Sequence, residues 1–146
     1  MISRGDSDGA KPPTGPFPAS YISVDGSTIF STMQRGVTSA ILTPNNCSLS
    51  NIANFDTYAS YSNTTALMSY VSNLPVCTLI LGITYDEPEL RFSPAYPLFQ
   101  SELGINLTTL QYRGKFAFMA VIGYPVQTVW SLLPPGGDPV HLTVIV

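Results

Sequence analysis

Two long apolar runs constrain the fold of this chain most strongly. Residues 78–84 read TLILGIT and residues 116–122 read FAFMAVI. Strands that are apolar at nearly every position are typical of strands buried on both faces, because half-exposed strands alternate with polar residues. An acidic turn, residues 85–88 (YDEP), follows the first run. The sequence therefore predicts two buried strands and a turn at the end of the first.

Two segments of the chain favour helices. Ser60 or Ser62 can cap a helix whose apolar residues recur at three- and four-residue spacing. A second helix is predicted between the two apolar runs, with Ser93 as its N-cap and Pro94 as its first helical residue. Gly104 is then expected just after its last turn.

The region before the first apolar run favours β-structure. Residues 20–24 and 27–33 flank Asp25-Gly26, the dipeptide preferred in two-residue hairpin turns. Residues 37–42 form another predicted strand. Residues 43–54 look turn-rich.

Two more strands are predicted near the end of the chain, at residues 127–133 and 140–146. Many strands with two or three short helices indicate an α+β fold of two packed, largely antiparallel β-sheets. The length of 146 residues suits one globular domain, predicted at residues 20–146. Residues 1–19 are rich in Gly and Pro and predict an extended N-terminal arm that becomes ordered only by docking.

Composition excludes several classes of partner. Charged residues make up only 10% of the chain, with six Lys and Arg together and a net charge of −3. Phosphate backbones need clustered cations, so we expect no nucleic-acid binding. No apolar run reaches the roughly 18 residues of a membrane span. The first residues lack the apolar core of a secretory signal, so the signal of a secreted form would precede Met1 or belong to a longer chain.

Three N-x-[ST] sequons indicate a secreted or cell-surface glycoprotein; they begin at Asn46, Asn63 and Asn106. Cys47 and Cys77 are compatible with one disulfide, and the alternative is two buried free thiols. The sequons favour the disulfide because they imply an oxidising compartment. A closed loop of about thirty residues is worth roughly 3.5 kcal/mol in the chain-entropy model.

Signals for catalysis and for metal binding are weak. His141 is the single histidine, and it lies on a predicted strand away from any nucleophile motif. A zinc site would lack ligands, and no phosphate-binding glycine loop or nucleophile elbow is present. We therefore expect a protein that is not an enzyme and that needs neither a cofactor nor a metal.

Five short motifs occur in a fixed order along the chain. They are Arg35-Gly36, Phe55-Asp56-Thr57-Tyr58, Tyr85-Asp86-Glu87, Leu98-Phe99-Gln100-Ser101-Glu102-Leu103-Gly104 and Tyr112-Arg113-Gly114-Lys115-Phe116-Ala117-Phe118. In this order and spacing the chain resembles the ILEI/PANDER family, over roughly residues 21–146. The resemblance implies a β-sandwich that is extracellular and not catalytic, with cytokine-like and lectin-like relatives. Gly114 stands where the family usually has aspartate.

Polar and aromatic side chains at the predicted strand ends form a candidate cluster of Asp56, Tyr58, Tyr85, Asp86, Glu87, Tyr112 and Arg113. One interpretation is structural, with Arg113 pairing with the acidic turn and fixing two strand ends. The other is a glycan site that holds a sugar through bidentate hydrogen bonds and aromatic stacking. We favour the structural interpretation, because buried charges are normally paired.

Two functions follow as hypotheses. In the first, the protein associates with itself when its arm adds as a strand to the next subunit, which builds a chain or fibre if the contact does not close. The residues expected to insert are Ile2, Phe17, Tyr21, Ile22 and Val24. In the second, the domain is a lectin-like carbohydrate-binding module. The integrin-type tripeptide Arg4-Gly5-Asp6 in the arm is better explained by chance.

Overall fold

The computed structural model describes residues 2–5, 20–24, 27–43, 48–135 and 140–142. Within them the chain forms nine β-strands and two α-helices. The strands are β1 (Ile2–Gly5), β2 (Ser20–Val24), β3 (Ser27–Thr32), β4 (Gly36–Leu42), β5 (Leu49–Phe55), β6 (Leu79–Asp86), β7 (Lys115–Val121), β8 (Val129–Leu133) and β9 (Val140–His141). The helices are α1 (Tyr61–Ser72) and α2 (Tyr96–Leu103). Neither helix has the length and hydropathy needed to cross a membrane.

A five-stranded antiparallel sheet forms the centre of the domain, in the order β5-β4-β6-β7-β8. The two apolar runs of the sequence are β6 and β7, and they lie side by side with Leu79 opposite Val121. Most of their residues are buried. The prediction of two strands buried on both faces is confirmed, and the reason is that each face of this sheet is covered by a different layer.

The two covering layers differ in kind. On one face α1 and α2 pack over Ile80, Phe116 and Phe118, and this cluster is the helix-side core. On the other face Ile22 of β2 and Val140 of β9 cover a second core. Successive residues of a strand point to opposite faces, so one strand can supply both cores.

The second layer contains the β2–β3 hairpin, which was predicted and is confirmed. Its turn, Asp25-Gly26, lies outside the described residues. β1 pairs with β2 and β9 through its first residues and runs parallel to β6 through its last, with Arg4 opposite Tyr85. Two packed sheets with two helices confirm the predicted α+β class.

The helix predictions are confirmed for α1 and partly wrong for α2. Ser60 is the N-cap of α1, and its hydroxyl accepts the backbone N–H of Asn63. Ser93 does not cap α2; it begins a separate 3₁₀ turn, Ser93–Ala95, and α2 starts at Tyr96 without a side-chain cap. The two prolines of this segment each suit a helix start, so the sequence placed the start one turn early. Gly104 follows α2 with a φ of 68°, as predicted.

The turn-rich interpretation of residues 43–54 is wrong for residues 49–54, which belong to β5, and residues 44–47 lie outside the described residues. β5 pairs with β4 from Val37 opposite Phe55 to Leu42 opposite Leu49. It is the outer strand of the central sheet, and its side chains are exposed or half-buried. A strand in that position tolerates Ser and Asn, so it lacks the apolar pattern by which strands are recognised in a sequence.

Candidate functional site: the polar end of the sheet

Four of the five motifs of the sequence meet where β4 begins, β6 ends and β7 begins, and the remaining motif, residues 98–104, covers most of α2 and the glycine after it. Neighbouring strands run antiparallel, so Gly36 at the start of β4 lies opposite Tyr85 near the end of β6. Val37 lies opposite Phe55, which brings the residues after β5 to the same place. We call this region, formed by residues 35–36, 56–58, 85–91 and 112–115, the polar end.

An ion pair joins two turns at the polar end. Nε and Nη2 of Arg35 donate to the two carboxylate oxygens of Asp56, at 3.0 Å and 2.8 Å. The same guanidinium lies over the ring of Tyr58, 4.1 Å from its centroid. The bidentate hydrogen bonds to Arg35 lower the pKa of Asp56. A planar guanidinium suits both partners, because it matches a carboxylate edge and stacks on an aromatic face.

The glycine after Arg35 is required by the backbone. Gly36 has a φ of 97°, a conformation that side chains rarely adopt. A Cβ atom at this position would lie 2.2 Å from the carbonyl oxygen of Phe55. The Arg-Gly motif therefore combines an ion-pairing side chain with a residue that lets β4 approach the end of β5.

A buried carboxylate organises the other half of the polar end. Glu87 is 2% exposed, and its side chain accepts the backbone N–H groups of Glu89 and Leu90, at 2.5 Å and 3.2 Å, and that of Arg113. Burial raises the pKa of Glu87, and the three N–H donors oppose that rise. Glu87 thus closes its own turn and fastens it to the segment that leads into β7.

Hydrogen bonds from side chains to the backbone connect the turn that holds Asp56 with the turn that holds Glu87. The hydroxyl of Thr57 donates to the carbonyl oxygen of Pro88. The guanidinium of Arg91 donates to the carbonyl oxygen of Tyr58, and the hydroxyl of Thr64 in α1 donates to the carbonyl of Arg91. The turns after β5 and β6 and the start of α1 are therefore one hydrogen-bonded unit.

A main-chain hydrogen bond joins Arg113 to the acidic turn. The N–H of Arg113 donates to Glu87, while its guanidinium lies 5.6 Å from the ring centroid of Tyr112. Arg113 and Asp86 both have left-handed backbones, with φ of 59° and 58°. Tyr85 is part of β6, opposite Gly36. Of the seven candidate residues, Asp56, Tyr58 and Glu87 carry most of the contacts described above.

Sequence reasoning missed two residues of this unit, Arg35 as the ionic partner of Asp56 and Arg91 as the partner of Tyr58. A usable signal was present, since a chain with only six Lys and Arg places two of them next to turns that carry Asp and Glu. The pairing itself joins residues 21 positions apart. It depends on the register of β4 and β5, which the sequence did not reveal.

The side chains of the polar end can stabilise the turns and bind a ligand. The carboxylates of Asp56 and Glu87 are engaged by hydrogen-bond donors. No cluster of three or more His, Cys, Asp or Glu suited to a metal ion occurs in the part of the chain that the structure describes. Tyr112 differs from the rest, because it is 48% exposed beside Arg113.

The remaining predicted residues lie elsewhere. Cys77 is exposed after α1 and forms no disulfide with any described residue, whereas Cys47 and Asn46 lie outside the described residues, so their pairing and glycosylation stay predictions. Asn63 is in α1, and Asn106 is in the segment after α2. Within the predicted arm and the segment that follows it, Ile2 is in β1, and Tyr21, Ile22 and Val24 are in β2. Phe17 lies outside the described residues.

A family model described as interleukin-like EMT inducer matches residues 35–124. The chain belongs to this family. The matched segment starts at Arg35 and contains the complete polar end, from the Arg35–Asp56 pair to the Arg113 turn. No curated protein matches the chain significantly. As a member of the interleukin-like EMT inducer family, the protein contains a cytokine-like module, and four of the five sequence motifs come together at its polar end.

Proposed function

We propose that this protein is a non-catalytic, extracellular, N-glycosylated module that associates with itself through its N-terminal arm, as a structural or adhesion protein of fibres or matrix. The observation that carries the proposal is the position of β1. This strand joins the two layers, because it pairs with β2 in the second layer and with β6 in the central sheet, although residues 6–19 separate it in sequence from the rest of the domain.

A strand in this position is suited to exchange between copies. β1 pairs with β2, β6 and β9, all of which come from the other side of the 6–19 segment. The β1 of a second copy would form identical main-chain hydrogen bonds, so exchange conserves the pairing while linking two molecules. If each copy gives its strand to the next, the contact is head-to-tail and builds a fibre unless it closes into a ring.

We narrow the proposed assembly segment to β1, because β2 is needed for the core of its own chain. Ile22 of β2 is buried in the second core of its own chain, together with Val140 of β9 and Leu81 of β6. Removing β2 would therefore open that core, whereas removing β1 leaves the β2–β3 hairpin in place. An open β2 edge is a template for pairing with another strand.

The non-catalytic and extracellular parts of the proposal have separate support. Glu87 is buried and accepts three backbone N–H groups, an arrangement that supports a structural role for this carboxylate. The sequons, the charge-poor composition and membership of a cytokine-like family support secretion.

The first test is removal of residues 1–19 from the glycosylated protein. We expect the complete chain to give large particles in light scattering and extended polymers in electron microscopy. The truncated chain should remain folded, by circular dichroism, and run as a monomer. Assembly that is unchanged by the truncation would disprove the role of the arm.

A disulfide trap distinguishes exchange from simple docking. Ile2 of β1 lies opposite Tyr21 of β2, so cysteines at these two positions can be oxidised to a cross-link. With Cys47 and Cys77 replaced by serine, exchanged strands would give a ladder of covalent oligomers without reductant, and unexchanged strands would give a cross-linked monomer. Cysteines at Ile41 and Asn51, which pair within one β4–β5 hairpin, are the matched control and should give monomers in either case.

Carbohydrate binding is the second candidate function, and the exposure of Tyr112 favours it. Aromatic faces stack on the apolar face of a sugar, and the adjacent Arg113 can donate hydrogen bonds to hydroxyls. A glycan array with the wild type and Tyr112→Ala tests this function. Binding that Tyr112→Ala removes, while Tyr61→Ala on the exposed face of α1 keeps it, would support the lectin function; silence across the array would reject it.

A further inference from the structure

The segment after α2 presents a sequon with an exposed acceptor. Asn106 and Thr108 are exposed, while Leu107 between them is buried in the helix-side core and anchors the segment. Oδ1 of Asn106 accepts the backbone N–H of Thr108 at 3.0 Å and the Thr108 hydroxyl at 2.7 Å. The backbone N–H can only donate, so these contacts assign the oxygen. No hydrogen bond joins Nδ2 of Asn106 to the rest of the described chain.

Asn63 has the opposite environment. It lies in the first turn of α1, where its backbone N–H is bound by the cap Ser60. Its Nδ2 donates to the carbonyl oxygen of Asp56 at 3.0 Å, and the side chain is half-buried. Nδ2 of Asn63 therefore belongs to the hydrogen-bonded unit of the polar end, and a sugar attached there would press on the turn that holds Asp56.

We infer that Asn106 carries an N-linked oligosaccharide in the folded protein and that Asn63 stays unmodified. The inference rests on the proposed passage through the secretory pathway. A chain modified at Asn106 folds without losing any of the hydrogen bonds described for that segment. A chain modified at Asn63 must rearrange the contact with Asp56, so the folded population selects against it.

The modification is a group transfer with a stated donor. A polyprenyl diphosphate-linked oligosaccharide supplies the sugar, and the bond from C1 to the diphosphate oxygen breaks as C1 bonds to Nδ2. The electron pair of the broken bond leaves with the lipid diphosphate, and Nδ2 releases one of its two protons to the solvent. No oxidation or reduction occurs, and the product keeps one N–H.

The test is occupancy measured peptide by peptide. Residues 1–146 are expressed behind a cleavable leader in a eukaryotic secretory host, and glycans are removed enzymatically in heavy-oxygen water, which marks each formerly modified asparagine. We expect most molecules to carry the mark at Asn106 and few at Asn63. We expect the mass of the intact protein to fall by one oligosaccharide in Asn106→Gln and in Thr108→Ala. The oligosaccharide should remain in Thr108→Ser and in the control Asn63→Gln.

Two results would overturn the inference: an unmodified Asn106, or a modified Asn63 in most of the folded molecules. Peptides from the cell-retained pool are measured in the same way, so poor secretion does not leave the question open. Light scattering of the same samples separates this inference from the proposed function. Unglycosylated polymers would overturn the assignment of Asn106 and the glycosylation of the proposed module but not its assembly, and monomers modified at Asn106 would overturn only the assembly.

Discussion

The two ends of the central sheet are built on different principles. At the polar end, Arg35, Asp56 and Glu87 hold the turns together through directional hydrogen bonds, many of them to backbone N–H groups. We call the opposite end, beside the start of β6 and the end of β7, the apolar end. The exposed side chains there are those of Val76, Cys77, Tyr124 and Val126.

The contrast shows which end of the molecule depends on particular side chains. At the polar end one buried carboxylate accepts several half-buried backbone N–H groups, so a single replacement leaves these groups without their acceptor. At the apolar end the side chains touch water, and the strands are joined by backbone hydrogen bonds such as that from Cys77 N–H to the Ile122 carbonyl. We therefore expect substitutions to be costly at the first end and mild at the second.

The largest effect is expected at Glu87. Glu87→Ala leaves three backbone N–H groups without their acceptor, and we expect a loss of about 2–4 kcal/mol in the free energy of unfolding. Urea denaturation measures it, with exposed Glu102→Ala as the control for removal of an acidic side chain. A loss within about 0.5 kcal/mol of the control would show that Glu87 does not hold the polar end together.

Two glycines in similar conformations compare the ends directly. Gly36 has a φ of 97° and Gly123 a φ of 85°, so alanine is strained by about 1–2 kcal/mol at either position. At Gly36 the new Cβ also meets the Phe55 carbonyl oxygen at 2.2 Å, whereas at Gly123 it meets the exposed Val76 side chain at 2.9 Å. We expect Gly36→Ala to lower the free energy of unfolding by about 1–3 kcal/mol more than Gly123→Ala. Equal losses would remove the distinction between the ends.

The Arg35–Asp56 pair should contribute less than Glu87. Its side chains are 37% and 32% exposed, and exposed pairs are worth about 0.2–1 kcal/mol. A double-mutant cycle of Arg35→Ala and Asp56→Ala measures the coupling energy, which we expect near the upper limit because the contact is bidentate. The coupling energy should fall when salt is added. A coupling energy of zero would mean that backbone contacts alone hold these two turns together.

The two carboxylates should give pH dependences of opposite sign. The pKa of Asp56 is lowered by Arg35, so its contribution is present above the ordinary pKa and is lost as the pH falls through the lowered value. The pKa of Glu87 is raised by burial, so its contribution is full below the ordinary value and is lost as the pH rises through the raised one.

Urea midpoints of the wild type, Asp56→Asn and Glu87→Gln between about pH 3 and pH 7 separate the two contributions. Asp56→Asn should lose the decrease in stability on the acid side, and Glu87→Gln should lose the decrease on the neutral side. Parallel profiles for all three proteins would contradict both assignments.

The smallest effect is expected at the apolar end itself. Val126 is 93% exposed in a short 3₁₀ turn, Pro125–Gln127, so Val126→Ser should change the free energy of unfolding by no more than about 0.5 kcal/mol. Thermal denaturation measures it against Leu132→Ser, a half-buried position packed against the helix-side core. A large loss for Val126→Ser would mean that the apolar end has a structural role comparable to that of the polar end.

Local patterns were sufficient where one element carries its own signal. The two apolar runs predicted β6 and β7, and the two candidate caps, Ser60 and Ser62, predicted the start of α1, which Ser60 caps. Local patterns failed where the position of an element in the fold determines its residues or its boundary. β5 has polar side chains because it is the outer strand of the central sheet. A 3₁₀ turn precedes α2, and because each of the two elements has a proline near its start, the sequence does not separate them.

The sequence by itself determined the α+β class, the buried strands and the grouping of polar motifs at strand ends. Only the tertiary structure decided which groups meet: the Arg35 side chain pairs with Asp56, and Glu87 accepts backbone donors, the N–H of Arg113 among them. The physical reason is that hydrophobic patterning is set by neighbours along the chain, whereas an ion pair depends on the register between strands. A shift of one residue between β4 and β5 would remove the Arg35–Asp56 contact without changing the apolar pattern of the buried strands β6 and β7.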